Sequence, residues 1–424
     1  MRAILSQSSP HGKISAIASK SVAHRLLICS AFADKPSLIR CEQLNEDINA
    51  TIDCLCALGA SIQIHTPYIE VTPISVLNKK AILPCNESGS TLRFLLPICA
   101  SLNGDFTFEM RGRLSERPLA PLDSVLISHG AKIEKIAPDK LCVSGSLSGT
   151  SYEIAGNVSS QFITGLILAL SLSKTKSTIK ITDRLESAPY IDITLDALMQ
   201  FGIKILKKDS VFCIPATPLS APKELWVEGD WSNAAFPLAL GLLGPREVSV
   251  EGLNLSSKQG DMKIVELLRK FGGEIHQSGS CLTARHSALH GIKIDASQIP
   301  DLVPILATVA SVAEGETLIY GASRLRLKES DRLMSVTNVL STLGANIRET
   351  DDGLIIKGKK ELCGGSVSSF GDHRIAMSVA VASTVCKSPV ILNGAEASNK
   401  SYPAFWEDIK ALGINVLLEK DQTL

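Results

Sequence analysis

Ser19-Lys20-Ser21-Val22-Ala23-His24-Arg25, continuing as Leu26-Leu27-Ile28-Cys29-Ser30-Ala31-Phe32-Ala33, is the stretch from which the fold can be read. Ser19 and Ser21 suit a helix start, because a hydroxyl can accept from the first orphan N–H groups. From Leu26 onward the segment is small and apolar on nearly every side, the pattern of a helix buried within a domain. Lys20 and Arg25 add positive charge to the opening turns, where the helix dipole is already positive. A buried helix whose start gathers amides, hydroxyls and cations is suited to hold an anion. Taken alone, the segment reads more readily as a core helix with solvated ends.

Repetition changes the balance. A glycine after Leu, Phe or His, followed by residues that lead into Ile or Val, occurs at Gly59, Gly130, Gly202, Gly272, Gly344 and Gly413, between 69 and 72 residues apart. Each follows an amphipathic run such as Thr51–Leu58 or Met262–Phe271, so each is predicted to end a helix, and alternating residues such as Ser61-Ile62-Gln63-Ile64 predict a strand after it. In step with the glycines, polar caps open apolar helices at Ser19, Ser88, Ser159, Asp230, Asp301 and Asp372, at spacings of 69 to 71 residues. The helices include Phe162–Leu172, Ala234–Leu243, Leu302–Ala313 and Ile375–Ser383. Six copies of one supersecondary unit follow: buried helix, strand, amphipathic helix, then strands. Three Ser caps followed by three Asp caps suggest two domains of three units, with a seam near Glu228-Gly229-Asp230. The preceding Pro-rich stretch Pro215–Pro222 reads as a surface loop.

A chain of 424 residues agrees with two domains of roughly 200 each. Forty-three basic residues balance 43 acidic ones, so no global field points to nucleic acid or a membrane surface, and any cationic site must be local. The 11 cysteines are scattered, without a Cys-x-x-Cys pair, and read as reduced core residues of a cytoplasmic protein. The opening residues Met1–Pro10 lack the apolar core of a signal peptide, and no apolar run is long enough to span a bilayer.

Cations fall near the starts of the buried helices and in a few dense loops: Lys20, Arg25, Arg93, Arg111, Arg113, Arg117, Lys328, Arg332, Arg374 and Lys400. Equivalent places in a repeat converge in space, so these imply a ligand with several negative charges, phosphate plus carboxylate. Arg suits bidentate contacts and Lys a point charge or a titratable proton. Ser159-Ser160-Gln161 opens a helix with two hydroxyls and free N–H groups, either a phosphate cradle or plain capping. Asp301 and Glu329 are carboxylates in this cationic setting, placed either to pair with the cations or to act as a base on a substrate hydroxyl. Asp372-His373-Arg374 lacks the Gly-x-Ser-x-Gly elbow of a hydrolase, and neither a P-loop nor a Gly-x-Gly-x-x-Gly fingerprint is present.

Several segments together resemble the 5-enolpyruvylshikimate-3-phosphate synthase family. They are Ser19-Lys20-Ser21 with Arg25, Arg113-Leu114-Ser115-Glu116-Arg117-Pro118, Ser159-Ser160-Gln161-Phe162, Pro189-Tyr190-Ile191-Asp192, Leu327-Lys328-Glu329-Ser330-Asp331-Arg332-Leu333 and Gly371-Asp372-His373-Arg374-Ile375-Ala376-Met377. The resemblance runs from Ser19 to Pro403. It implies an α/β fold of two inside-out α/β barrels, each of three βαβαββ units, with the active site in the cleft between them. Residues 1–19 with 228–424 would form one domain and residues 20–227 the other.

The reaction implied is transfer of enolpyruvyl from phosphoenolpyruvate to shikimate-3-phosphate, with no metal or organic cofactor and no partner beyond these substrates, by a cytoplasmic monomer. By the same resemblance, shikimate-3-phosphate would be held by Lys20, Ser21, Arg25, Ser159, Ser160, Gln161, Ser187, Tyr190, Asp301 and Lys328. Phosphoenolpyruvate would be held by Lys20, Gly89, Arg113, Gln161, Arg332, Arg374 and Lys400, while Asp301, Glu329 and Lys20 would move protons. Two positions depart from the family pattern: Glu87-Ser88-Gly89-Ser90 stands where Asn-Ala/Ser-Gly-Thr is frequent, and Arg324 stands where some members have Asn. The sister enzymes acting on a UDP-linked N-acetylglucosamine use a cysteine in the loop that here is Arg111–Arg117, which has none. The alternative from another class is a non-catalytic repeat scaffold for anionic partners, in which Asp301 and Glu329 would only cost affinity.

Overall fold

The computed structural model describes residues 1–420 apart from Lys174. Six four-stranded sheets account for its strands. The second repeat displays the common plan: Lys80–Asn86, helix Gly89–Ser101, Asp105–Met110, helix Leu122–Ser128, then the hairpin Ala131–Ala137 and Lys140–Gly145. Its first two strands run parallel across the buried helix, and the hairpin adds to the second of them antiparallel. The predicted mixed α/β architecture and the order of elements in each unit are therefore present.

The chain divides into two compact units, Ala18–Val227 and Met1–Ile17 with Glu228–Leu424. In each, the apolar helices form the centre. All 13 residues of Trp231–Leu243 are buried, as a helix apolar on every side requires. It packs with Val303–Ala310 and His373–Ala382, while Gly89–Ser101 packs along Ser160–Ser171. That last approach depends on Gly165, where a Cβ would collide with the carbonyl oxygen of Arg93. All six repeat glycines have positive φ, from 83° to 115°, at or just past a helix end, which is why glycine recurs there.

Three of the sheets are completed out of repeat order. Gly12–Ser15 precedes the first buried helix but pairs parallel with Val248–Glu251, whereas Glu224–Trp226 pairs parallel with Ser37–Arg40. The two strands at the seams are thus exchanged between the first and fourth repeats, each pairing inside its own compact unit. Arg2–Leu5 lies between Val390–Asn393 and Val416–Glu419 and completes the sheet of the last repeat. No helix among the described residues is long and apolar enough to cross a membrane.

Substituting glycines should separate two costs. Gly165→Ala overpacks the helix pair and should destabilise the protein by about 1–3 kcal/mol. Gly202→Ala, with φ +83° and nothing within 4 Å of the added carbon, carries conformational strain alone, about 1 kcal/mol. Urea midpoints measure both, and an unchanged midpoint for Gly165→Ala would show that the helices can separate without penalty.

Candidate functional site

In the unit Ala18–Val227 the polar residues gather at the starts of the three buried helices. Ser19 occupies the N-cap of Lys20–Ala31, yet its buried hydroxyl makes no hydrogen bond, so it caps by position alone. Lys20 Nζ lies 2.7 Å from Asp47 Oδ2, and the carbonyl of Asp47 accepts from the Thr91 hydroxyl. Thr91 also reaches Ser88 and Thr51, tying the first two helix starts to Glu46–Leu58. Ser88 and Ser159 do cap, accepting from the N–H groups of Thr91 and Gln161. Gln161 joins the second and third starts: its Oε1 accepts from Arg93 and its Nε2 donates to Ser90. A Cβ on Gly89 would stand 2.7 Å from a guanidinium nitrogen of Arg93 and of Arg117, so both arginines crowd that position. Neither is among the residues that the family resemblance assigns to a substrate.

Arg25 is 2% exposed. Its guanidinium donates to the Ser21 and Tyr190 carbonyls and to the Thr194 and Thr164 hydroxyls, and it stands over the Phe94 ring. No carboxylate pairs with it among the described residues, and burial pushes its pKa down to about 9. Beside it, burial pushes His24 down to about 3, leaving a neutral ring whose Nδ1 meets Thr51 Oγ1. Ser187 sits at the N-cap of Ala188–Gln200 with φ 52°, a left-handed residue in the turn that presents Tyr190. Ser160 is buried. Arg113, 51% exposed, lies in the 3-10 turn Gly112–Glu116 with Glu116 at 3.5 Å. Glu87, which departs from the family pattern, packs its carboxylate against Gly112 of this turn.

In the other unit the cations are met by carboxylates. Arg332, 1% exposed, donates to Asp372 Oδ2 at 2.8 Å, Asp301 Oδ1 at 2.8 Å and Glu329 Oε2 at 2.7 Å. Burial works against its charge, but Asp372, Glu329 and Asp301 outweigh it and hold its pKa above the usual arginine value. Arg374 reaches Asp301 Oδ2 at 3.1 Å, and Lys328 Nζ lies 3.9 Å from Asp301 Oδ1. Asp372 also accepts from Ser330 and from the Arg374 N–H that it caps, which leaves no hydrolase triad at Asp372-His373-Arg374. Lys400 is buried at the end of the 3-10 turn Ala395–Lys400. Arg324, the second departure, donates to the Ser297 carbonyl, just upstream of Asp301.

One expectation is corrected here. Asp301 is not the cap of its helix. It lies inside the 3-10 turn Pro300–Leu302, and the α-helix behind it is Val303–Ala310, shorter than predicted. The prolines at positions 300 and 304 favour that break, since neither can supply an N–H to a continuous helix start. Its carboxylate is thereby turned to Arg332, Arg374 and Lys328.

Opposed charges set close together in this unit can bind an anion and move a proton at one of the carboxylates. Among the described residues no group of three or more His, Cys, Asp or Glu is arranged to hold a metal ion. Removing Arg332 would leave three carboxylates facing one another with burial unrelieved. Arg332→Ala should therefore cost about 3–5 kcal/mol of stability, read as a fall in the thermal midpoint. A loss within the error of the measurement would mean the carboxylates rehydrate freely.

Comparison with known proteins follows the same direction. The family model of EPSP synthase (3-phosphoshikimate 1-carboxyvinyltransferase) matches residues 6–409. A 3-phosphoshikimate 1-carboxyvinyltransferase of Clostridium perfringens is 42% identical over 417 residues, covering 97% of this chain and 98% of its own. One of Clostridium acetobutylicum is 42% identical over 414 residues, covering 96% of each. Among solved structures, EPSP synthase of Acinetobacter baumannii aligns with a TM-score of 0.81 at 23% identity over 99% of both chains, a likeness of fold.

Proposed function

The chain belongs to the EPSP synthase family, and from that premise we propose how its residues share the reaction. The reaction is that of a 3-phosphoshikimate 1-carboxyvinyltransferase: the enolpyruvyl group of phosphoenolpyruvate passes to the 5-hydroxyl of shikimate-3-phosphate by addition and elimination, and phosphate leaves. It serves the shikimate pathway to the aromatic amino acids.

In this reading Ser21, Arg25, Ser159, Ser160, Gln161, Ser187 and Tyr190 hold shikimate-3-phosphate. Arg25 has hydroxyl and carbonyl partners but no carboxylate, so an incoming anion supplies the charge that its burial lacks. Lys20, Gly89, Arg113, Gln161, Arg332, Arg374 and Lys400 hold phosphoenolpyruvate, and Lys328 serves both substrates. Arg93 and Arg117, crowded against Gly89, reinforce the second set.

Asp301 takes the proton as the hydroxyl oxygen bonds to C2 of phosphoenolpyruvate. Glu329 with Lys20 delivers a proton to the methylene carbon, giving a tetrahedral intermediate. Loss of a proton from the new methyl group and of phosphate from C2 then restores the double bond. The cations are in place before charge develops, and such preorganisation is commonly the largest catalytic contribution. The enzyme acts as a cytoplasmic monomer on small anions, without nucleic-acid or membrane partners.

The observation that supports these roles best is the contact of Arg332 with both Asp301 and Glu329. It draws the two acidic residues to one cation that would face the substrate. Incubation with both substrates should release phosphate, and failure to do so would overturn the assignment. Asp301→Ala and Glu329→Ala should each lower kcat by at least about 100-fold, within the range of general acid–base contributions. Because each removes a negative charge from an anion site, dissociation constants by calorimetry should stay within about tenfold. Near-normal kcat in Asp301→Ala would remove it as the base.

A further inference from the structure

Lys328 and Glu329 stand on a short bend between the 3-10 turn Ser323–Leu327 and the helix Arg332–Thr342, outside both elements. A bend lacks the backbone ladder of a helix or strand, so the aim of its side chains depends on anchors elsewhere in the fold. Two anchors belong to the cluster already described: Glu329 accepts from Arg332, and Ser330 donates to Asp372. A further anchor comes from a residue with no part in the reaction described above, Arg326.

The part-buried guanidinium of Arg326 reaches three points. Its Nη1 donates to Asp331 Oδ2 at 3.1 Å and to Glu349 Oε2 at 2.8 Å, and its Nη2 donates to the Thr350 carbonyl at 3.0 Å. Arg326 and Asp331 stand at the two ends of the span 327–330, so their contact closes that span into a small loop. Glu349 and Thr350 end the strand Asn346–Thr350, so the same guanidinium ties the loop to the hairpin that this strand forms with Gly353–Lys357. The turn of that hairpin holds the start of the segment: the Ala322 N–H donates to the Asp352 carbonyl, and the Gly321 N–H to the Asp352 carboxylate. With Leu325 buried between these points, Arg326 is the last fixed residue before Lys328 and Glu329. Asp331 also caps the helix through the Met334 N–H, a contact that does not involve Arg326. A planar fork meets acceptors on two nitrogens at a fixed spacing, which the one nitrogen of a lysine cannot.

We propose that Arg326 is a positioning residue for this reaction, a clamp that closes the span 327–330 and holds Glu329 in its working position. This role rests on Glu329 being the residue that delivers the proton to the methylene carbon. Without the clamp the span is free to turn about its own backbone dihedrals, and Glu329 loses its aim although Arg332 still attracts it. Misplacing a catalytic group by about 1 Å can cost about 100-fold in rate. The purely structural alternative is a surface ion pair that adds a little stability and nothing to the chemistry.

A double-mutant cycle on kcat separates the two roles. Measured with saturating substrates well below the thermal midpoint, Arg326→Ala should lower kcat about 10- to 100-fold. Arg326→Lys keeps the charge without the fork and should stay at least about fivefold below the parent; it carries the same test should Arg326→Ala fail to fold. In a protein already bearing Glu329→Ala, either change should lower kcat by a further factor of only about two or less, because no carboxylate is left to aim. Parental kcat in both Arg326 variants, whatever their Tm, would overturn the proposal. So would a loss that keeps its full size in the Glu329→Ala background, since Arg326 would then act through some other group. If Glu329→Ala is slow while the Arg326 variants keep parental kcat, only the role of Arg326 falls. If Glu329→Ala itself keeps parental kcat, the proton donor is misassigned and the clamp falls with it.

Discussion

The buried guanidinium of Arg332 is the constraint on which much of the unit Met1–Ile17 with Glu228–Leu424 depends. It reaches three carboxylates from three separate parts of the chain: Asp301 before its helix, Glu329 in the bend before the helix Arg332–Thr342, and Asp372 at the cap of another helix. Each acid is held only if its own backbone turn is in place, so one side chain fixes the relation of all three. With Arg374 and Lys328 also at Asp301, three cations face three carboxylates. Such a balanced cluster can survive burial, whereas removal of any member leaves an uncompensated charge. An anionic substrate entering here competes with carboxylates already seated on its cations.

The unit Ala18–Val227 meets the same problem differently. Arg25 is as deeply buried as Arg332, but it is solvated by two hydroxyls, two carbonyls and the face of Phe94. Neutral dipoles can orient a guanidinium, yet they leave its charge unbalanced. Lys20, by contrast, has its acid in Asp47 at 2.7 Å. Side by side, these arrangements distinguish a cation ready for an anion from one already partnered.

Periodicity made the fold legible. Six glycines with positive φ and polar residues at five helix caps were visible as spacing alone, because helix ends demand particular residue types. Asp301 broke the rule, since the prolines that open its turn and the following helix override a cap pattern borrowed from its sister repeats. Pairings through space were not legible at all. Asp47 with Lys20, Asp372 with Arg332 and Ser232 with Asp261 join residues 27, 40 and 29 positions apart. The sequence neighbours of Arg25 gave no hint that Thr164 and Thr194 would enclose it. The crowding of Arg93 and Arg117 onto Gly89 is likewise a product of packing, although their basic character was evident.

The exchanged strands bear on how the chain acquires its structure during synthesis. Ser37–Arg40 emerges early but waits for Glu224–Trp226 to complete its sheet, and Gly12–Ser15 waits for Val248–Glu251. Arg2–Leu5 finds its partners in Val390–Asn393 and Val416–Glu419, made far later. Contacts so distant along the chain close large loops before they are rewarded, which slows folding. Three strand segments with unpaired edges must therefore remain available on the nascent chain, open to wrong partners until their own arrive. Loss of either Arg2–Leu5 or Val416–Glu419 would open the same sheet, which ties segments far apart along the chain to one another.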